Sequence, residues 1–261
     1  MRALNIAATG MAAQQTRVEV ISNNLANMST TAYSARRAEF ADLLYQQPRL
    51  AGTVNAADGT ILPAGVQIGM GVRPSAVTFD VVQGAMKATD AELDLAIDGK
   101  GWFEIEAPNG EPVYTRDGSF KRTGDGQLVT SEGYALTPNI VIPGDTRRVT
   151  VNKDGEVYAI FDDQVQPQLL GQITLVDFVN ERGLEPIGSN LFRETAASGP
   201  PNVGAPGEDG RGVVRQGYLE ESSVDAVTEI TELIQAQRGY EMNSKVVTAA
   251  DQMLAATTQM R

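Results

Sequence analysis

The stretch Leu4–Met28, LNIAATGMAAQQTRVEVISNNLANM, decides how the chain is read. Leu4, Met11, Val18 and Leu25 recur every seven residues, with Ala7, Ile21 and Met28 on the companion positions and Gln14 interrupting that second row. Such spacing makes a narrow apolar seam on a helix. The opposite face is rich in Asn, Gln, Thr and Ser instead of charge, so the amphipathicity is weak. The far end repeats the design. From Val224 to Met260, Leu233, Tyr240, Val247 and Leu254 are spaced by seven, joined by Ile230, Ile234, Ala236 and Ala250 and by a second row of Val246, Met253 and Met260. A helix over this run is about 50 Å long. Neither helix carries enough apolar surface to be buried on all sides by its own chain, so both seams read as docking surfaces for other helices.

Between the two seams the period changes. Asn109-Gly110, Asp117-Gly118, Asp125-Gly126 and Asp154-Gly155 are hairpin signals, because Gly after Asn or Asp tolerates the positive φ of tight turns. They separate β-rich runs such as Trp102–Ile105, Val113–Thr115, Leu128–Thr130, Val157–Phe161 and Ile173–Val176. The expected fold is α+β: long terminal helices pairing as a coiled-coil-like layer, and a central, mostly antiparallel all-β domain. The expected division is 1–32 and 222–261 for the helical layer, 33–76 and 205–221 for connecting segments, and 77–204 for the β domain. Two stretches lack periodicity. Residues 46–63 read as a long loop or arm, and residues 196–212 as a Gly/Pro-rich surface crossing.

Composition narrows function. The 261 residues hold 21 Lys+Arg against 33 Asp+Glu, a net charge of −12 that opposes nucleic-acid or anionic-lipid binding. Arg36-Arg37 and Arg147-Arg148 are isolated pairs. With no Cys and no His, thiol nucleophiles, disulfides, Cys/His zinc sites and His-dependent triads are excluded. The amino terminus lacks the h-region of a secretory signal, and no window is apolar for the length of a membrane span. Gly69-Met70-Gly71 and Gly99-Lys100-Gly101 lack the third Gly of a dinucleotide fingerprint. A calcium loop around Gly126 fails because Lys121 and Thr123 would occupy ligand positions. Glu104, Glu106, Asp117 and Asp94 could meet as hydrolytic carboxylates but read as solvated strand and turn positions. Trp102 beside Phe103 reads as core instead of a sugar platform. No catalytic residue, cofactor or metal ligand is expected.

The segment Ile21–Tyr33 (ISNNLANMSTTAY) resembles the N-N-L-A-N-x-x-T-x-G-[FY] signature of bacterial flagellar basal-body rod and hook proteins, carried here by Asn23, Asn24, Leu25, Ala26, Asn27 and Thr30. Ala32 stands where the family usually has Gly, and Ser34 where it often has Lys. The resemblance continues through Leu93–Phe103, Tyr114–Phe120, Gly126–Thr130, Gly133-Tyr134, Gln216–Glu220, Gln237–Lys245 and Asp251–Leu254, and so covers essentially the whole chain. Within the family the distal rod pattern fits best, through Phe40–Gln46 and Leu62–Val72.

The resemblance implies a structural subunit whose terminal helices line a channel, with the β domain outside. The tube would transmit torque from motor to hook and pass exported subunits. It further implies assembly with copies of itself, with proximal rod and hook proteins and with surrounding ring proteins. Delivery would be by the flagellar type III export apparatus to the basal body. Assembly residues are then Leu4, Met11, Val18, Ile21, Leu25, Met28, Ile230, Leu233, Tyr240, Val247, Met253 and Leu254. Gln46, Pro48, Leu50, Leu62 and Pro63 mark the inter-subunit arm. A proximal rod or hook subunit, and a secreted carbohydrate-binding β domain, are the alternatives.

Overall fold

The computed structural model describes residues 2–49, 65–162 and 166–259, and the chain forms two compact units. The first takes residues 1–26, 36–79 and 225–261, and the second takes residues 27–35 and 80–224. Residues 36–79 thus belong with the terminal helices, and residues 205–221 with the β-rich unit.

In the first unit, α1 (Arg2–Ala26) and α2 (Ala226–Gln259) pack against each other. Ala, Leu, Met, Gln and Arg populate α1, residues that lose little on entering a helix. Asp225 starts α2 as its N-cap, accepting the Val227 N–H at 3.2 Å and the Thr228 hydroxyl at 2.6 Å. These bonds, Thr228's first, hold the Asp225 carboxyl below its ordinary value. A β ribbon completes the unit. Strand β1 (Arg36–Asp42) pairs antiparallel with β4 (Val72–Phe79), and β2 (Tyr45–Arg49) pairs antiparallel with β3 (Val66–Gly69). Its β1/β4 portion lies against α1. There the Val72 N–H donates to Thr9 Oγ1 at 3.4 Å, and Gly71, with φ +119°, leaves room for the Thr9 side chain.

The second unit is built on a nine-stranded sheet. Its main path runs Glu185–Gly188, Leu191–Arg193, Pro112–Thr115, Trp102–Glu106, Ala135–Thr137, Leu128–Val129 and Lys121–Arg122, each paired antiparallel with the next. Leu175–Asp177 also pairs with Trp102–Glu106 and carries Asn202–Gly204 on its other side. A three-stranded sheet of Thr146–Val151, Glu156–Phe161 and Gln168–Gln172 contributes to the same core. Phe103 and Ile105 alternate onto one face, into a cluster with Leu95, Leu136, Val157 and Leu175. Trp102 is buried too, edge-on to Phe192 at 4.8 Å, so neither ring offers a face to a sugar. Deep in this unit, Arg116 grips Glu220 with Nε at 3.0 Å and Nη2 at 2.9 Å. Arg116 also donates to the Gly99 and Gly101 carbonyls. The buried guanidinium is therefore paired and bonded to backbone, which offsets its desolvation.

Three of the four Gly-containing turn signals fall on hairpins, with Gly110, Gly126 and Gly155 at φ +79°, +86° and +79°. Asp117-Gly118 does not close a hairpin. Gly118 is needed because its Cα abuts the Leu95 carbonyl, and its own carbonyl accepts the Leu95 N–H at 3.0 Å. The Gly/Pro-rich stretch 196–212 also departs from its reading as a plain crossing, since Asn202–Gly204 adds an edge strand to the large sheet. Strands Val213–Gln216 and Tyr218–Glu220 then pair with Leu95–Asp98 and Met86–Ala88.

Ala32 has φ +55°, the left-handed conformation that Gly adopts without a Cβ penalty, and its N–H donates to the Glu220 carbonyl at 2.8 Å. The substitution Ala32→Gly relieves that penalty while giving up a small buried methyl, so its melting temperature should match or exceed that of the wild type. Ala32→Val, β-branched at positive φ, should lose about 2 kcal/mol or more in urea unfolding.

Candidate assembly surface

The two helices of the first unit run antiparallel, as three contacts fix. Arg17 Nη2 bonds Glu232 Oε2 at 3.1 Å, Gln14 lies against Gly239, and Gly10 faces Asn243. The last two form a reciprocal pair. A methyl group at residue 10 would sit 2.9 Å from Asn243 Nδ2, and one at residue 239 would sit 3.2 Å from Gln14 Cδ. Each helix carries a glycine and, four residues later, an amide, and the amide of one fills the space left by the glycine of the other. This lets the backbones approach closely and resists sliding by a turn.

Asn24, near the end of α1, is only 1% exposed. Its Nδ2 donates to the Arg36 carbonyl at 2.8 Å and to Glu229 Oε1 at 3.0 Å, while its Oδ1 accepts the Arg36 N–H at 2.8 Å. One carboxamide thus joins α1, β1 and α2. Only a group with both a donor NH2 and an acceptor oxygen can do this. Burial raises the Glu229 carboxyl above its ordinary value. The Asn24 hydrogen bond lowers it, the nearby Glu232 raises it, and Arg37 and Arg17 lower it.

The seam residues divide between inward and outward positions. On α1, Ile21 is buried, and Leu4, Met11, Val18 and Leu25 are half-buried. On α2, the innermost line is Glu229, Ala236, Asn243 and Ala250, with Leu233 and Val247 half-buried beside it. Ile230, Tyr240, Met253 and Leu254 are exposed, Met253 at 66%. Val18 and Tyr240 share an open, mostly apolar groove of about 370 Å³ with Gln15, Gln237 and Glu241. On the ribbon, Leu44 is 88% exposed and Gln46 is exposed as well. Pro48 lies in β2, and Leu50, Leu62 and Pro63 lie outside the described residues.

Three family models match the chain. One described as the flagellar hook protein FlgE/F/G D1 domain matches residues 96–159. The basal body rod FlgEFG protein C-terminal model matches residues 215–260, and the flagella basal body rod protein model matches residues 4–33. The flagellar basal-body rod protein FlgG of Caulobacter vibrioides is 55% identical over 100% of both chains. Its Agrobacterium fabrum counterpart is 53% identical over 97% of each. The Borreliella burgdorferi protein of the same name is 44% identical, over 100% of this chain and 99% of its own. The chain belongs to the flagellar basal-body rod protein family.

In this rod protein the motif residues have separate tasks. Asn23 and Ala26 are exposed on α1, whereas Asn24 and Leu25 turn inward. In the second unit, Thr30 Oγ1 bonds Asn27 Oδ1 at 3.1 Å, and the Thr30 N–H bonds the Asn27 carbonyl at 3.1 Å, closing the turn beyond the helix. Met28 lies exposed on that turn. Gly10, Gly239, Asn243 and Glu229 were not among the expected assembly residues, because apolar spacing alone does not mark them. The available signal was Gln14, a polar break in an otherwise apolar row. The candidate carboxylates are turn and strand residues. Asp117 Oδ1 accepts the Ser119 N–H at 3.0 Å, and Asp94 Oδ2 accepts the Thr89 hydroxyl at 2.7 Å.

Asn24→Ala strands the Arg36 backbone groups and the Glu229 carboxylate, and should lower stability by about 2–4 kcal/mol in chemical denaturation. A folded carboxyl whose pKa lies above its unfolded value destabilises the fold at neutral pH, a penalty removed as pH falls through the folded value. Glu229→Gln should therefore melt at the same or a higher temperature than wild type at pH 7. The difference should shrink as pH is lowered toward the ordinary 4.5.

Proposed function

We propose that this protein is a structural subunit of the flagellar distal rod. It self-assembles into a hollow, rigid tube that carries torque from motor to hook and passes exported subunits. The observation that carries the reading is the outward face of α2, where Val227, Ile230, Ile234, Met242, Val246 and Met253 are exposed along a helix whose inner line is alanine, glutamate and asparagine. An exposed apolar stripe of this length fits burial against helices of neighbouring copies. In this reading residues 1–32 and 222–261 form a coiled-coil-like inner layer. Residues 33–76 and 205–221 connect it to an outer β domain, 77–204. The ribbon of β2 and β3, with its exposed Leu44, Tyr45, Val66 and Ile68, carries the arm 46–63 toward an adjacent subunit. A lone two-stranded ribbon is marginal in water, which favours a partner for it. The same reading assigns proximal rod, hook and ring proteins as neighbours, type III export as the delivery route, and a mechanical instead of a catalytic role.

The test is electron microscopy and sedimentation of the full-length protein at rising concentration, with and without a rod or hook-base seed. A variant carrying Val246→Asp and Met253→Asp and a version lacking the first 32 residues run alongside. The full-length chain should form tubes and both altered chains should not. The double variant should keep the wild-type helix content and melt within about 0.5 kcal/mol of it, since both sites are exposed. Tubes from the double variant, or seeded full-length protein that stays monomeric, would overturn the reading.

A further inference from the structure

The two units differ sharply in charge. The first holds nine Lys+Arg and nine Asp+Glu; the second holds 12 and 24, which together make the chain's 21 and 33. The entire net charge of −12 therefore sits on the β-rich unit, while the unit of helices and ribbon is neutral. In the neutral unit, charged groups are placed against opposite charges: Arg17 bonds Glu232, and Arg37 and Arg17 lie near Glu229. The β-rich unit forms such pairs too, among them Arg116–Glu220, Arg193–Glu185 and Arg215–Asp98, but its acidic groups outnumber its basic ones two to one. Glu104 is raised by burial and then by Glu194, and Glu181 is raised by burial, lowered by Arg116, raised by Asp177 and lowered by Lys100. Glu106, Glu111, Asp125, Glu132 and Asp145 are all exposed on the same unit.

We propose that this partition makes assembly a contest between two parts of one chain: the neutral unit supplies the attraction, and like-charge repulsion between β units of neighbouring copies opposes each addition. Mobile cations relieve that repulsion by screening it, and divalent cations do so better than monovalent ones. The inference rests on the self-assembly reading above. An interface held by salt bridges weakens as salt is added, because its attraction is screened. Here the neutral contacts are apolar and hardly screened, whereas the repulsion is. Its range falls from about 30 Å at 0.01 M ionic strength to about 8 Å at 0.15 M. Added salt should therefore promote assembly.

The experiment measures the critical concentration of the full-length protein by sedimentation in 0.01, 0.05, 0.15 and 0.3 M NaCl, and in MgCl2 at matched ionic strength. It is repeated with a variant carrying Glu106→Gln, Glu111→Gln, Asp125→Asn, Glu132→Gln and Asp145→Asn. The wild type's critical concentration should fall about tenfold or more between 0.01 and 0.15 M as the screening length shortens. It should lie lower in MgCl2, and the variant's dependence should be much flatter, with assembly already at low salt. Polymer that forms equally well at all salt concentrations, or that dissolves as salt rises, overturns the proposal while leaving self-assembly intact. A wild-type-like salt slope in the variant overturns it too. If no polymer sediments under any condition, the self-assembly reading falls and this inference falls with it.

Discussion

The first unit depends on one carboxamide. Asn24 offers Arg36 the same donor and acceptor that a paired strand would, and spends its remaining N–H on Glu229. A buried amide bonded in this way is stable where it sits and costly anywhere else, because every alternative leaves polar groups unpaired away from water. It therefore acts as a specificity device. It sets where β1 leaves the helix pair and where α2 passes α1, which in turn aligns Gly10 with Asn243 and Gln14 with Gly239.

The two units are stabilised in different ways. The β-rich unit has a continuous core of large side chains, among them Phe103, Ile105, Leu136 and Val157. It is further tied by the buried Arg116–Glu220 pair. In the first unit the buried side chains are mostly small: Ala7, Ala13, Ala236 and Ala250, beside Ile21 and Phe79. Alanines permit close backbone approach but remove little apolar area from water, so packing there yields less per residue. On α2 several larger apolar groups, among them Ile230, Met242, Val246 and Met253, are exposed.

Much of this was legible in the sequence, for identifiable reasons. A seven-residue repeat over Leu4–Leu25 and Leu233–Leu254 can only be a helix, and Asn-Gly and Asp-Gly steps mark turns because few other pairs accept positive φ. The inward face of α2 was legible in part: Ala236, Ala250, Leu233 and Val247 stood in the repeat and turn inward, but exposed Ile230, Tyr240 and Leu254 follow the same repeat. Glu229 and Asn243, which complete the contact line, are polar, and hydrophobic spacing passes over them. Gly118 illustrates a second limit. It looks like any turn glycine, yet its necessity comes from the Leu95 carbonyl more than twenty residues earlier in the chain. Asn202–Gly204 shows a third, since a Gly/Pro-rich stretch has little strand propensity and pairs only because Leu175–Asp177 presents an open edge. Ala32 was visible as a departure from the family's glycine, but its conformational cost became visible only with its φ.

The discontinuity of the first unit sets an order in time. Its three stretches come from the start, the first third and the end of the given sequence, and Asn24 meets Glu229 across a sequence separation of 205. Contacts so distant form late, after the entropy of closing a long loop has been met. The β-rich unit, nearly continuous from residue 80 to 224, can close before α2 is in place. A chain emerging amino terminus first would hold a finished β unit while α1 still lacks its partner helix. During synthesis the burial of Asn24 therefore waits on the arrival of Glu229.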